Sequence, residues 1–244
     1  MAWLDKEKLL GLMGLKRSPE KFRSSVVEES PPDISMAHPK QIRLEASSYC
    51  QLKCPSCPTA QGQIHQSLLG SKFLRADDFK RIVDGAGWIQ EIELSNWGEI
   101  FLNPELIQIM NHAYKRNIQL VAYNGVNFNN VKDEVLEALV KYRFKALTCS
   151  IDGASQETYV QYRRRGNFNQ VVENLRRLNE FKKAYRSPYP FLTWQFVLFQ
   201  HNKHELNQAK QLATELEMGF YTKVSWDANL AAKNDDSGVE VLQA

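Results

Sequence analysis

The chain has 244 residues, the length of one domain with an appendage at roughly 100–200 residues per domain. Its 31 Lys and Arg against 28 Asp and Glu leave a net charge of +3, which excludes a polybasic nucleic-acid arm or an acidic solvating tail as the main theme. With 43% hydrophobic and 24% charged residues, and no run near the roughly 18 apolar residues of a membrane span, the composition is that of an ordinary globular chain.

Residues 1–40 differ from the rest. Trp3, Leu4, Leu9, Leu10, Met13 and Leu15 predict a short helix with one apolar side, weakened by Gly11 and Gly14 and expected to dock on the main body. A polar linker with Ser-Pro and Pro-Pro pairs follows to Lys40. Asp5, Lys6 and Lys8 stand where a signal peptide would be apolar, and cysteines are few, so a reducing, cytoplasmic compartment is expected.

From 41 to 227 a rhythm sets in. Short β-rich runs occur near Gln41–Ala46, Gln90–Ser95, Ile118–Tyr123, Ala146–Ile151, Thr193–Phe199 and Tyr221–Trp226. Between them lie helical patterns. One opens at Ala76-Asp77-Asp78, where acids suit the positive end of the helix dipole, and one at Asn103-Pro104. Leu136, Leu139 and Val140 mark a third. Val171, Val172, Leu175, Leu178 and Phe181 mark a fourth, and Leu206, Ala209, Leu212, Ala213 and Leu216 a fifth that ends by Gly219. Six strands alternating with helices give parallel βαβ units, arranged as an open sheet or a partial barrel. Residues 228–244 read as a polar tail.

In such folds ligands bind at the carboxyl ends of the strands. Cys50 to Cys57, Gly98-Glu99, Asn124-Gly125, Ser150 with Asp152, and Asn202 all fall there, so five distant segments are expected at one mouth. In Cys50-Gln51-Leu52-Lys53-Cys54-Pro55-Ser56-Cys57 three thiols can wrap a soft metal centre. That centre is an iron–sulfur cluster, or a zinc ion with His65 or His38 as fourth ligand. A Cys54/Cys57 redox pair would leave Cys50 unexplained. Three cysteines without a fourth suit a 4Fe–4S cluster with one iron open to a ligand.

The Cys-x-x-x-Cys-x-x-Cys loop resembles the signature of the radical S-adenosylmethionine (radical SAM) superfamily. Asn96-Trp97-Gly98-Glu99, continuing through Asn103-Pro104-Glu105-Leu106, resembles the family's Gly-Gly-Glu segment. Ser150 to Tyr159, Tyr162 to Phe168, and Gln195 to Asn202 resemble stretches of its SPASM-type branch. The resemblance implies a partial (β/α)6 TIM-like barrel, with a 4Fe–4S cluster on Cys50, Cys54 and Cys57. It implies S-adenosylmethionine contacts from Gly98, Glu99, Asn124, Ser150, Asp152 and Arg163, the glycine admitting the ligand and Arg163 facing the methionine carboxylate. It also implies a reductant such as flavodoxin or ferredoxin, and hydrogen abstraction from a peptide, protein or small metabolite. No membrane span and no nucleic-acid partner are expected.

The pattern also departs from the family. Ser56 stands where an aromatic is frequent, Trp97 where the first glycine is usual, Tyr123 where threonine is common and Arg165 where the branch often has glycine. The branch's cysteine-rich C-terminal domain has no counterpart in Ala228–Ala244, which leaves a fragment, or a mouth completed by a partner, the N-terminal segment or the substrate. Arg164 and Arg165 read as surface, Cys149 as packing, Trp97 as core or cavity wall, and His201 and His204 as exposed. The other function class is a zinc-stabilised or degenerate barrel used as a binding module.

Overall fold

The computed structural model describes residues 38–68 and 70–232; the helix expected before residue 17 and most of the polar tail lie outside them. The chain runs β1 (Gln41–Arg43), α1 (Gln63–Gln66), α2 (Ala76–Gly85), β2 (Glu91–Glu93), α3 (Leu106–Lys115), β3 (Gln119–Val126), α4 (Asp133–Lys141), β4 (Ala146–Ser150), α5 (Gln156–Tyr162), α6 (Phe168–Ala184), β5 (Phe191–Leu198), α7 (Leu206–Glu215) and β6 (Gly219–Val224). Each strand pairs in parallel with the next, in the order β1-β2-β3-β4-β5-β6, and β1 does not meet β6. This is the expected (β/α)6 order, with the sheet open.

The two-residue period of the strands divides the sheet sharply. Ile92, Leu94, Leu120, Ala122, Leu147, Cys149, Leu192, Trp194 and Phe196 join the hydrophobic core with Val83, Ile109, Leu139, Leu175 and Ala213 from the helices. Alternate positions carry Arg43, Glu93, Tyr123, Thr148, Ser150, Thr193, Gln195, Tyr221 and Lys223 on the opposite face. A closed barrel normally fills that interior with branched apolar side chains. Here it is polar.

Boundaries shift for local reasons. β3 runs past Tyr123 to Val126 through an irregularity between Ala122 and Val126, so Asn124 and Gly125 lie in a bulge of the strand rather than after it. α3 begins at Leu106, two residues after Pro104, because Asn103 is a tie: its amide donates to Ala46 O at 2.7 Å and Leu74 O at 2.9 Å. Glu105 in turn accepts from Ala76 N at 2.6 Å, at the start of α2. α7 stops at Glu215, with Glu217 at φ 57 in the left-handed position, and Gly219 already belongs to β6. The described start of the tail is not detached. Ala231 bridges Phe199, and Leu230 packs against the cluster of Leu52, Cys54, Tyr162 and Phe199.

Candidate active site

The strand ends surround a cavity of about 260 Å³ lined by Cys50, Cys54, Cys57, Gly98, Glu99, Asn124, Ser150 and Arg163, eight of the nine residues that the resemblance assigns to the two cofactors. The loop carrying the cysteines is held from several directions. Glu99 N donates to Tyr49 O at 2.7 Å, and Thr59 Oγ1 to Trp97 O at 2.6 Å. Lys53 N donates to Arg164 O at 3.0 Å, and Ser56 Oγ to Asp227 Oδ2 at 2.5 Å. Loop geometry therefore follows from the neighbouring strand ends.

All three thiols are free; Cys54 is buried and the others half-buried. Burial, reinforced by Glu99, pushes Cys50 up to about 12. Burial also raises Cys54, against the pull of Arg163. Three thiols in one cavity form a soft donor set that a metal centre would deprotonate. Among the described residues no three Cys, His, Asp or Glu side chains converge on a single-ion site. Donors of one tetrahedral zinc, at Zn–S about 2.3 Å, would sit about 3.8 Å apart. A cluster takes each thiol on a different iron and so does not require the three sulfurs to converge on one point. The zinc reading loses its fourth ligand: His65 Nδ1 pairs with Ser71 Oγ at 3.1 Å and His38 stacks on Trp88, and neither lines the cavity.

Gly98 lines the cavity and also answers a backbone need. A Cβ there would lie 2.1 Å from Ser47 O and 2.6 Å from Tyr49 O, so the glycine admits the backbone leading into the cysteine loop. The half-buried Glu45 accepts from the N–H groups of Trp97 and Gly98 at 3.1 Å. Glu99 is buried and accepts from Phe101 N at 3.2 Å and from Asn127 N at 2.6 Å. Burial outweighs those donors and pushes its carboxyl up to about 8. Asn127, which the sequence reading missed, is the hub: its amide reaches Glu99, Cys50 Sγ (3.9 Å) and Gln51. Its signal was available in the asparagine run after β3, but the strand was expected to end too early.

Asn124 is exposed, with its Nδ2 held by Ser95 O at 2.8 Å. Gly125, at φ 112, leaves no room for a Cβ, which would meet Ser150 Oγ at 2.2 Å. Ser150 in turn accepts from Gln195 Nε2 at 3.5 Å, and Gln195 Oε1 from Tyr221 OH at 2.6 Å.

Asp152 must be corrected as a cavity residue. It is fully buried and outside the lining, with Oδ2 accepting from Arg163 Nε at 2.6 Å and Oδ1 from Val197 N at 2.9 Å. It acts by holding Arg163. The guanidinium's Nη1 points to Cys54 Sγ at 3.9 Å, and its plane lies over Tyr162. Burial alone would lower the Arg163 pKa, but Asp152 and Cys54 hold it above the usual arginine value. Arg164 and Arg165 are exposed as expected, and Arg165 takes φ 69, a left-handed conformation that favours glycine. Asn202 is buried away from the cavity, tying Asp152 O to Val197 O. Cys149 is in the core, and Trp97 is cavity wall. His201 is half-buried against Phe199 rather than exposed, while His204 is exposed.

Residues 44–189, more than half of the chain, match the Radical SAM superfamily. The chain belongs to the radical SAM superfamily. Members of that family use a 4Fe–4S cluster and S-adenosylmethionine. An AdoMet-dependent heme synthase of Methanosarcina barkeri (strain Fusaro / DSM 804) is 24% identical over 180 residues, covering 73% of this chain and 48% of the relative. Streptococcus suis SuiB bound to S-adenosylmethionine superposes with a TM-score of 0.62 at 15% identity, over 81% of this chain and 44% of SuiB. TYW1 with a lysine-pyruvate adduct superposes at 0.54 and 15% identity, over 78% of this chain and 66% of its own. The chain thus spans about half the length of the curated relative it matches, and the likeness to solved structures establishes the fold. No helix among the described residues is long and apolar enough to cross a membrane.

Proposed function

We propose that this chain cleaves S-adenosylmethionine reductively and uses the radical to abstract hydrogen from an organic substrate. The observation that carries the reading is the convergence of three free thiols with Gly98, Glu99, Ser150 and Arg163 in one strand-end cavity. Cys50, Cys54 and Cys57 would hold three irons of a 4Fe–4S cluster, leaving one for S-adenosylmethionine. Together the two cofactors supply a 5′-deoxyadenosyl radical.

The remaining work falls to this chain's residues. Arg163, fixed by Asp152, presents a guanidinium suited to the methionine carboxylate. Main-chain oxygens beside Gly98 and the Glu99 carboxyl suit the methionine ammonium, and Ser150 and Asn124 offer polar partners to the ribose side. Leu52, Tyr162 and Phe199 pack with Cys54 and shield it from water. The substrate is a peptide or protein side chain or a small metabolite, and the electron comes from a flavodoxin- or ferredoxin-type donor in the cytoplasm.

The test is an anaerobic assay of 5′-deoxyadenosine with S-adenosylmethionine and dithionite. Wild-type protein should form it, and Cys54→Ala should not. Equal formation by both, or none by wild-type protein carrying a full cluster, contradicts the reading.

A further inference from the structure

The cavity has a second half that this scheme does not use. β6 pairs with β5 in the register Gln195↔Tyr221 and Val197↔Lys223, which puts Lys223 on the inner face beside the strand end that binds Asp152. Besides the thiols, three ionisable charged side chains line the cavity. Glu99 is taken up by Asn127 and Phe101, and Arg163 by Asp152. Among the described residues Lys223 makes no ion pair. Asp227, the nearest acid in sequence, is turned to Ser56 Oγ and Asn229 N.

Two indoles share the cavity with that ammonium: Trp226, three residues on from Lys223, and Trp97, which follows β2. Trp226 is 73% exposed and Trp97 39%, and both line the same cavity. Large aromatic surface left in water beside an unpaired cation is a recognition surface for a ligand with an apolar or planar body and a negative group. The Tyr221–Gln195–Ser150 chain ties β6 to β5 and β4, so the strand that carries Lys223 is fixed relative to Arg163.

We infer that the β6 side of the cavity is the substrate subsite, and that it takes an organic anion, a carboxylate or phosphate ester, on Lys223, with the exposed Trp226 at the same strand end offering the apolar surface. The inference rests on the radical SAM reading, because the anion would position the body of the substrate toward the cysteine side. Arg163 then serves the cofactor, and Lys223 the substrate.

The experiment is a ligand-observed NMR titration of the full chain, both anaerobically reconstituted with S-adenosylmethionine and without cofactors. The probes are 3-phenylpropionate, phenyl phosphate and neutral 3-phenylpropionamide. At least one anion should bind about tenfold more tightly than the amide, and Lys223→Met should abolish that preference while Lys223→Arg retains it. Whichever anion is preferred distinguishes the carboxylate from the phosphate source. S-adenosylmethionine affinity of Lys223→Met should stay within about twofold, which also shows that the variant is folded. Equal binding of amide and anions, or an unchanged preference in Lys223→Met, overturns the inference. A loss of S-adenosylmethionine affinity in that variant also overturns it, by assigning Lys223 to the cofactor's own carboxylate. Absence of iron from the reconstituted sample counts against the radical SAM reading instead, and the cofactor-free titration still decides the role of Lys223.

Discussion

Around the cavity, close backbone approach matters as much as side-chain chemistry. Gly98→Ala would press a methyl into Ser47 O and Tyr49 O, neither of which can yield without moving the cysteine loop. The expected outcome is a loss of about 2–4 kcal/mol in urea unfolding of the apo chain, with reduced iron uptake; a loss under about 0.5 kcal/mol would show that the loop is not packed this way. Glu99 gives a pH signature. Its carboxyl titrates near 8 in the folded chain because burial raises it from an ordinary 4.5, so the folded state holds the proton more tightly. That contribution to stability is complete below pH 4.5 and is lost as pH rises toward and through 8. Apo wild-type protein should therefore lose stability between pH 5 and 8 relative to Glu99→Gln, in denaturation at several pH values; parallel curves would contradict it. The thiols, Gly98 and Glu99 were legible because motif spacing marks them. Asn127 and Lys223 were not, since an asparagine after a strand and a lysine in one read as ordinary surface until the bulge and the register place them in the cavity.

Helix ends explain where elements were misread. α3, α4, α6 and α7 all finish with a non-glycine residue in the left-handed region: Asn117, Arg143, Arg186 and Glu217. The next residue closes each end, as in Ile118 N to Ala113 O at 2.9 Å, Phe144 N to Leu139 O at 2.9 Å and Met218 N to Ala213 O at 2.9 Å. This stop normally uses glycine, so the sequence displays no sign of it, and the glycine that is visible, Gly219, opens β6. Arg143→Gly should raise stability by about 0.5–1 kcal/mol in urea unfolding, since it relieves the side chain's left-handed strain; a decrease would contradict the assignment. Ser155 accepts from Thr158 N at 3.2 Å at the start of α5, next to the Asp152–Arg163 pair. Ser155→Ala should cost about 1 kcal/mol by the same measurement, and no change would mean that the cap is not made.

Across the whole molecule, six parallel strands with helices between them were plain from the alternation of patterns, and the residues expected at the mouth did meet there, Asp152 and Asn202 excepted. What the pattern could not convey was the two-sidedness of the sheet: an apolar face toward the helices, and a polar inner face running from Arg43 through Glu93, Thr148 and Gln195 to Lys223. That asymmetry is what makes an open barrel useful, since polar side chains lining an interior can receive polar ligands. The thiol set at its mouth is the point on which the functional reading stands. The decisive measurement is metal and sulfide analysis of the anaerobically reconstituted chain, with electron paramagnetic resonance of the reduced sample before and after S-adenosylmethionine. About four irons and four sulfides per chain are expected, lost when Cys50, Cys54 and Cys57 are replaced by alanine, with a reduced-cluster signal that shifts on adding the cofactor. One zinc per chain, no iron and no spectral response would contradict the account and leave a barrel used for binding.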